Sequence, residues 1–475
     1  MRFIYRVFPV ILLAPALAAG EACTTSSSSS GADAGASLPD TGTAPADAAA
    51  APPPAAGGTG AFGIVTVNGK QKMYLPQTTA NAAGHPVLAV VDVGVAGNGA
   101  AGAPALITTV DLGGPDSGFD FEYATATGGD SSMVIAVSTD YPKVWFIDPT
   151  KDQLINTLTL DATYGSSSFS GGGGFVTGVA IDSANHRAIL SVWNGFAIVD
   201  LTTQTITSVI QAPPSENFGF DSAHQRIIAP FYDCTSSTLV DQTPSSCSTP
   251  KGPDGATVMT DGLSIIDLAD NNTVYTYENP AIDGGDTEID PNAPVGTEPD
   301  SAAADPSTGV IVVPSEGSGF QSVIDLSKAT FDKTSKTVTA PQTIIPDLGL
   351  TGVAIEYTRH LAFWEEEHGQ DVAVADLTQA TGSSASWVHG FIPDLPGDAG
   401  EEFSNLGDPH GIAVTTSLTS SGPVGFVVSS DLHWVVRVDL AKMLGAGAGS
   451  DASDTELDTT AMAPFVTYLD GQTVE

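Results

Sequence analysis

The sequence predicts an all-β protein: a seven-bladed β-propeller of four-stranded blades, preceded by a signal peptide and a disordered tether. Two observations carry the prediction. A short, mostly apolar run that closes on an aspartate recurs seven times, and successive aspartates lie 56, 52, 67, 58, 51 and 63 residues apart. Each run also stands third in a series of four β-like segments. A period near fifty residues with several short strands per unit is typical of radial β-repeats.

The seven runs share an apolar body and a terminal aspartate, which Leu or Val follows in six cases. They span residues 88–92, 144–148, 196–200, 263–267, 321–325, 372–376 and 435–439. An aspartate at a strand end can accept hydrogen bonds from the amides of the following turn. One such residue per blade, always in the same place, predicts a structural role for these aspartates.

Blade six shows the series of four most clearly. Its strands are predicted at 352–355, 360–364, 371–376 and 386–391. The first strands of most blades are rich in Gly and Ala, which suits the crowded centre of a propeller, and runs that are apolar on both faces suit blades packed between neighbours. Blade two matches least well, with its first strand predicted at 121–127.

The repeat has the form Gly-Ile-Ala-Val, acid, turn, Arg, second strand and then Val-Ile-Asp-Leu. It resembles the seven-bladed propellers built on YVTN repeats, and the resemblance covers about residues 61–470. That resemblance implies the fold and an exported bacterial protein or lipoprotein. It implies no single function, because the fold hosts many activities.

Composition narrows the classes of function. The chain has 475 residues, of which 41% are hydrophobic, so a sizeable core can form. Asp and Glu number 55 against 15 Lys and Arg, giving a formal net charge of −40. Such a charge disfavours nucleic acid, whose binding needs basic groups, and docking on anionic lipid. It favours a soluble extracytoplasmic surface, or one that attracts cations.

Residues 1–22 are interpreted as a signal peptide. Arg2 and Arg6 precede an apolar stretch over 7–17, which is too short to span a bilayer. The residues before Cys23 are similar to a bacterial lipobox, although that motif has a Leu-like residue where Gly20 stands and seldom an acid before the last small residue. Lipidation of Cys23 predicts an outer-membrane or cell-surface lipoprotein. The alternative is an ordinary signal cleaved nearby and a secreted protein.

The three cysteines support this interpretation. Cys234 and Cys247 share one polar loop, and in an exported protein they would form a disulfide that adds about 3 kcal/mol of stability. Cys23 is then left over, and a lipid anchor explains it. Residues 23–60 are rich in Ser, Ala, Gly and Pro without apolar periodicity. They are interpreted as a low-complexity tether that holds the propeller away from a membrane.

A ligand site is predicted where two kinds of loop meet. In a four-stranded meander, the loop before the first strand and the loop between the second and third strands lie on one face, where ligands often bind. Blades six and seven contribute the most polar residues to that face. With one residue from blade five, the candidates are Glu316, Glu366, Glu367, His368, Glu402, Asp408 and His410.

Carboxylates and imidazoles together can bind a divalent metal such as calcium, or serve as acid and base. The alternative is a solvated acidic rim, because exposed runs of charged residues are usually plain surface.

A second acidic stretch, 283–292, lacks the Gly and the late Glu of an EF-hand loop. His186, His224 and His360 are predicted to be turn residues on the opposite face.

Two functions stay open. The first is an exported, membrane-anchored binding or scaffold module for a protein or glycan. The absence of a Gly-x-Ser-x-Gly elbow, a zinc-protease helix, a Walker loop and a haem motif favours it. The second is a metal-assisted or acid/base hydrolase or lyase, similar to lactonases on propeller folds, with its site at the channel mouth. Enzymatic activity is therefore uncertain, and the first function is preferred.

Overall fold

The computed structural model of the chain describes residues 63–77, 80–93, 105–114, 124–130, 133–138, 141–160, 176–192, 195–213, 215, 217–231, 261–278, 295–296, 299, 301–315, 320–346, 350–366, 371–379, 387–392, 411–415, 422–429, 434–447, 456–462 and 466–469. Within them, the strands form seven sheets that follow one another along the chain. The predicted all-β, seven-bladed propeller is confirmed.

Blades one to three are antiparallel meanders in which consecutive strands pair. Blade one contains β1 (Gly63–Val67), β2 (Lys70–Pro76), β3 (Val87–Asp92) and β4 (Ala105–Asp111). Blade two contains β5 (Ala124–Asp130), β6 (Met133–Ser138), β7 (Lys143–Asp148) and β8 (Gln153–Thr159). Blade three contains β9 (Val176–Asp182), a 3-10 turn (Ser183–Asn185), β10 (Arg187–Val192), β11 (Gly195–Asp200) and β12 (Thr205–Gln211).

The chain segment of blade five contributes two strands to the sheet of blade four. Blade four contains β13 (Gly219–Asp221), β14 (Arg226–Phe231), β15 (Gly262–Asp267) and β16 (Thr273–Tyr277). Blade five contains β17 (Ala303–Asp305), β18 (Val310–Ser315), β19 (Phe320–Asp325), a 3-10 turn (Leu326–Lys328) and β22 (Gln342–Pro346). Between these last two come β20 (Thr330–Asp332) and β21 (Thr337–Thr339), a hairpin that joins the sheet of blade four instead.

Blades six and seven repeat this sharing. Blade six contains β23 (Leu350–Glu356), β24 (Leu361–Glu366), β25 (Asp371–Asp376), a 3-10 turn (Leu377–Gln379) and β26 (Trp387–Phe391). Blade seven contains β27 (Ile412–Thr415), β28 (Val424–Ser429), β29 (Trp434–Asp439) and β31 (Val466–Leu469). Helix α1 (Leu440–Gly447), β30 (Glu456–Leu457) and helix α2 (Thr459–Met462) precede β31, and β30 pairs with β26 of blade six.

The first strand of blade two, predicted at 121–127, lies three residues later in the structure, where β5 spans Ala124–Asp130. Its pairing with β6 sets these bounds: Thr127 lies opposite Ile135, and Asp130 lies opposite Met133 after a bulge. The cross-strand partners therefore decide the position of a strand whose own sequence, Ala-Thr-Ala-Thr-Gly-Gly-Asp, carries little apolar pattern.

The core consists of seven hydrophobic clusters, each drawn from two neighbouring blades. Trp145 of blade two, for example, packs in the same cluster as Tyr74 of blade one. The ring closes in the same way, since Met73 of blade one and Phe426 of blade seven share a cluster. Blades thus bury both faces against each other, which is why their strands are apolar on both sides.

Polar contacts also join the blades. Lys72 of blade one is almost buried, and its Nζ donates to Asp152 of blade two at 2.8 and 2.9 Å and to the Pro149 carbonyl at 2.9 Å. The Tyr74 hydroxyl donates to the same carboxylate at 2.6 Å. Burial, and then the hydrogen bond with Asp152, raise the pKa of Tyr74 far above its usual value. These contacts close the interface between blades one and two.

The repeated aspartates hold the turns that follow the third strands, as predicted. Asp200 Oδ1 accepts the backbone N–H groups of Thr202 and Thr203 at 2.8 and 2.7 Å. Five more aspartates accept a backbone N–H in the same way: Asp148, Asp267, Asp325, Asp376 and Asp439. Asp92, the seventh, lies 3.3 Å from Lys70 Nζ.

The three histidines of the opposite face are turn residues, as predicted. His186 and His360 adopt left-handed backbone conformations with φ of 50° and 57°. His224 Nδ1 lies 2.7 Å from the buried Asp221, and His360 Nδ1 lies 2.6 Å from the buried Asp305 of the neighbouring blade. The side chains of His224 and His360 therefore hold turns in place.

Candidate functional site

We call the upper face the one that carries the loops into the first strands and the connections between second and third strands. Of the predicted ligands, Glu366 is described, at the end of β24. Glu316, Glu367, His368, Glu402, Asp408 and His410 lie outside the described residues, as do Cys23, Cys234, Cys247 and the stretch 283–292. Their predicted roles stay predictions.

Glu365 is fully buried at the upper end of β24. Because side chains alternate along a strand, Glu365 lies on the same side as Leu361 and Phe363, which pack between blades six and seven. Across the sheet it stands opposite Gly352 of β23, where a β-carbon would come within 2.7 Å of Glu365 Oε1. The absence of a side chain at residue 352 makes room for the carboxyl group.

In the part of the chain that the structure describes, the Glu365 carboxyl group makes no hydrogen bond of ordinary geometry, and the backbone N–H of Gly411, just before β27, is placed to give it a weak one. Burial raises the pKa of Glu365 well above the usual range, and the contact with Gly411 opposes this by a smaller amount. The acid therefore sits at the boundary between blades six and seven. Leaving a buried polar group unsatisfied costs about 1–3 kcal/mol, so native proteins keep few of them.

Comparison of the blades shows how unusual Glu365 is. In blade six, Leu361 of the second strand stands opposite the terminal Asp376 of the third strand. Counting four residues onward from the equivalent position in each blade gives Pro76, Val137, Ser191, Pro230, Pro314, Glu365 and Val428. Six blades fold with an uncharged residue at this place. The carboxyl group of Glu365 is therefore not part of the pattern that the seven blades share.

Glu366 lies on the other side of β24, beside Asp371 at the start of β25. Burial, then the charge of Glu366 and a hydrogen bond with it, raise the pKa of Asp371 to about 7; Glu456 on β30 adds to the shift. Two carboxyl groups in contact resist double ionisation, so Asp371 loses its proton only around neutral pH. It can donate or accept a proton in that range.

An aromatic surface borders the carboxyl pair. Asp371 stands opposite Phe391 of β26, and the ring of His389 lies 6.3 Å from that of Phe391 and 5.8 Å from that of Trp387, on which it stacks. His389 Nε2 is 4.0 Å from Glu456 Oε2. Aromatic faces next to acidic groups suit ligands with apolar surfaces and hydrogen-bonding groups.

The sequence predicts a loop over 365–370, between the second and third strands, and the start of this loop is wrong. Strand β24 continues to Glu366, whereas β25 begins at Asp371 as predicted. A run of charged residues normally marks surface, so the pattern hid the buried acid. The signal that could have found Glu365 is the alternation of Leu361, Phe363 and Glu365, which extends the buried side of the strand by one more step.

In the described ranges, no group of three His, Cys, Asp or Glu side chains is placed to hold a metal ion. A calcium site would therefore need the predicted ligands beyond these ranges. Within the same ranges, no helix has the length and apolar character that crossing a membrane requires.

No family model matches the chain, and no curated protein matches it. Solved structures with a similar course of the chain have low sequence identity to it. The complex of KlAtg21 with the coiled coil of AgAtg16 is 8% identical with a TM-score of 0.46, over 83% of this chain and 95% of that one. Hsv2 of Kluyvelomyces marxianus is 7% identical with a TM-score of 0.43, over 80% and 92%. A functionally unknown protein from Desulfotomaculum acetoxidans is 11% identical with a TM-score of 0.45, over 87% and 96%.

Proposed function

We propose that this chain is an exported, membrane-anchored propeller that binds a protein or glycan ligand at the upper face, over blades six and seven. The observation that carries the proposal is Glu365, a buried acid that has no more than a weak contact with the Gly411 amide among the described residues, at a position where six other blades have an uncharged residue. A hydroxyl or amide group of a ligand seated at this boundary would supply the missing hydrogen bonds.

Chain connectivity supports the same location. His410 is bonded directly to Gly411, whose amide approaches Glu365, and Asp408 is two residues earlier. On the other blade, Glu367 and His368 follow β24 immediately. Four of the polar residues predicted from the sequence, Glu367, His368, Asp408 and His410, therefore belong to the two segments that flank the buried acid.

A glycan array probed with the purified protein tests this binding. We expect a ligand whose affinity falls at least tenfold, or about 1.4 kcal/mol, in Glu365→Gln and in His410→Ala. His224→Ala, on the opposite face, is the matched control and should bind like the wild type. A ligand that binds all variants equally would place the binding site elsewhere.

The anchor needs its own test. We expect the wild-type protein to partition into the detergent phase of Triton X-114 and to carry diacylglycerol by mass spectrometry. Cys23→Ser should move it to the aqueous phase without changing its melting temperature, because residue 23 precedes the propeller. A wild-type protein that stays aqueous would support a cleaved, secreted form.

A second candidate function is acid/base hydrolysis or elimination, and the raised pKa of Asp371 beside Glu366 favours it. A catalytic acid or base works best with a pKa near the working pH, and that of Asp371 is about 7. A panel of lactones would show turnover that changes near pH 7 and is lost in Asp371→Asn. Turnover that survives this change, or none with any lactone, would leave ligand binding as the function.

A further inference from the structure

The outer rim of blades one and two exposes apolar side chains. Four large apolar residues are exposed in the described ranges, and each lies on the outermost strand of its blade: Leu106, Ile107, Ile155 and Ile344. Leu106 and Ile107 on β4 are 42% exposed, and Ile155 on β8 is 50% exposed. The Cα atoms of β4 and β8 approach within 8 Å, so three of the four share one stretch of the rim.

A repeated β-bulge accounts for part of this exposure. In blades one, two and three, the pairing of the third and fourth strands shifts at the same place, and the extra residues are Ile107, Ile155 and Thr207. A bulge redirects its side chain. Thr207 Oγ1 uses the position to donate to the Ile198 carbonyl at 3.1 Å. Ile107 and Ile155 cannot make such a hydrogen bond, and their exposure leaves apolar surface in water, which does not stabilise the fold.

The edge itself is open to pairing. Among the described strands, β8 pairs with β7 alone, so its far side presents backbone N–H and C=O groups. β8 contains no charged residue, and β4 contains only Asp111 at its end. Proteins usually guard such edges with charged side chains that discourage pairing. The outer strands β12, β22 and β31 also lack charged residues, so the exposure of Ile155 beside Leu106 and Ile107 is what distinguishes the edge of blade two.

Two outer edges of this propeller already accept an added strand. β21 pairs in parallel with β16, with Thr337 opposite Thr276 and Val338 opposite Tyr277. β30 pairs in parallel with β26. Both added strands come from the connection before the last strand of the following blade. Strand addition at an outer edge is therefore a contact that this architecture forms within itself.

The hairpin on β16 shows which chemistry such an edge accepts. Lys333 Nζ lies 2.8 Å from Asp270 Oδ2, and Lys336 Nζ lies 5.7 Å from the centre of the Tyr275 ring. Phe331 packs edge-on against Tyr275 at 5.1 Å. The accepted strand, Thr-Val-Thr, thus arrives with basic and aromatic neighbours on an acidic, aromatic blade. A net charge of −40 would also draw a basic partner to the free edges.

We propose that the outer edge of blade two, flanked by β4, binds an extended basic segment of a partner protein, which adds to β8 as a fifth strand. Main-chain hydrogen bonds to β8 supply the pairing, and Leu106, Ile107 and Ile155 cover alternate apolar side chains of the segment. The occupant resembles residues 336–339 in chemistry: a lysine followed by β-branched residues. This surface is independent of the site at Glu365.

The test uses a labelled peptide with the sequence of residues 333–341, Lys-Thr-Ser-Lys-Thr-Val-Thr-Ala-Pro, and the purified full chain. We expect saturable binding by fluorescence anisotropy that weakens at least tenfold in the double variant Ile107→Lys, Ile155→Lys. Thr207→Lys on β12 is the matched control and should keep the affinity. Melting temperatures of all variants show that each is folded.

A peptide with proline in place of its valine has the same charge but cannot pair as a strand. It should not bind. Equal binding of the two peptides would mean unspecific attraction to an acidic surface, and no binding of either would overturn the proposal. A dimer in sedimentation that the double variant abolishes would make the occupant a second copy, which also overturns it.

Discussion

Gly352 and Glu365 stand opposite each other in blade six, and Glu365 Oε1 lies 2.7 Å from the point where a β-carbon at residue 352 would be. A methyl group there must displace a carboxyl group that is buried on all sides. We expect Gly352→Ala to lower the free energy of unfolding by about 1–3 kcal/mol, as overpacking does elsewhere. Urea unfolding measures the change.

Two further variants make this prediction specific. In a Glu365→Ala background, Gly352→Ala should cost little, so the double-mutant cycle should show strong coupling. Gly445→Ala on helix α1 is the control, since a β-carbon there has nothing within 4 Å and alanine favours a helix. Additive effects of the two blade-six changes would contradict the contact.

The contribution of Glu365 to the stability of the protein should fall as the pH rises. Its pKa is raised by burial, so the folded chain binds this proton more tightly than the unfolded chain. Stability from this residue is then full below the unfolded pKa of about 4.3 and decreases above it until the folded pKa is reached. Glu365→Gln cannot ionise, so it should raise the melting temperature more at pH 8 than at pH 5. The same gain at both values would rule out this origin.

Lys72 should matter far more than an exposed lysine. Its ammonium group is nearly buried between blades one and two and binds both oxygens of Asp152. Lys72→Ala leaves a buried carboxylate without its cation, and we expect a loss of about 3 kcal/mol in unfolding free energy. Lys151→Ala removes an ion pair to Asp148 whose lysine is 68% exposed, and it should change stability by less than about 0.5 kcal/mol. Similar losses for the two lysines would contradict the buried contact.

The aspartates at the ends of the third strands should act on stability and leave ligand binding unchanged. Asp200→Ala removes the acceptor for two turn amides, and we expect it to lower the free energy of unfolding. Asp200→Asn keeps an acceptor oxygen and should cost less. Calorimetric unfolding compares the two, and loss of ligand binding in a folded Asp200→Ala protein would assign the residue a second role.

The sequence predicts the ring and its strand order well, because both rest on a repeated local pattern. Asp148 and Asp376, for instance, mark equivalent turns through their own side-chain chemistry. The hairpin β20–β21 and strand β30 escape prediction because each strand has only two or three residues, too few to show a period. Their pairing depends on an edge in another blade, which no local pattern encodes.

The candidate site is predicted only in outline. The sequence places the acids of blade six on the upper face, and Glu366 is indeed at that end of its strand. It does not distinguish Glu365, which is buried, from its neighbour Glu366 on the other side of the strand. That distinction arises from the packing of blade seven against blade six. The sequence Glu-Glu-Glu alone cannot show it, because three identical residues in a row do not indicate which one is buried.

Strands β21 and β30, which pair with the sheet of the preceding blade, are synthesised long after the edges that they cover. The edge of blade four at Tyr277 is covered by Thr337–Thr339, about sixty residues later, and that of blade six by Glu456–Leu457. A chain that emerges at roughly 5–20 residues per second exposes the first edge for several seconds before its cover exists. Blade one must wait longest, because its partner Phe426 arrives near the end. A truncated product therefore has unpaired strand edges and lacks the contact between blades one and seven. Premature termination would yield aggregation-prone fragments instead of smaller stable propellers.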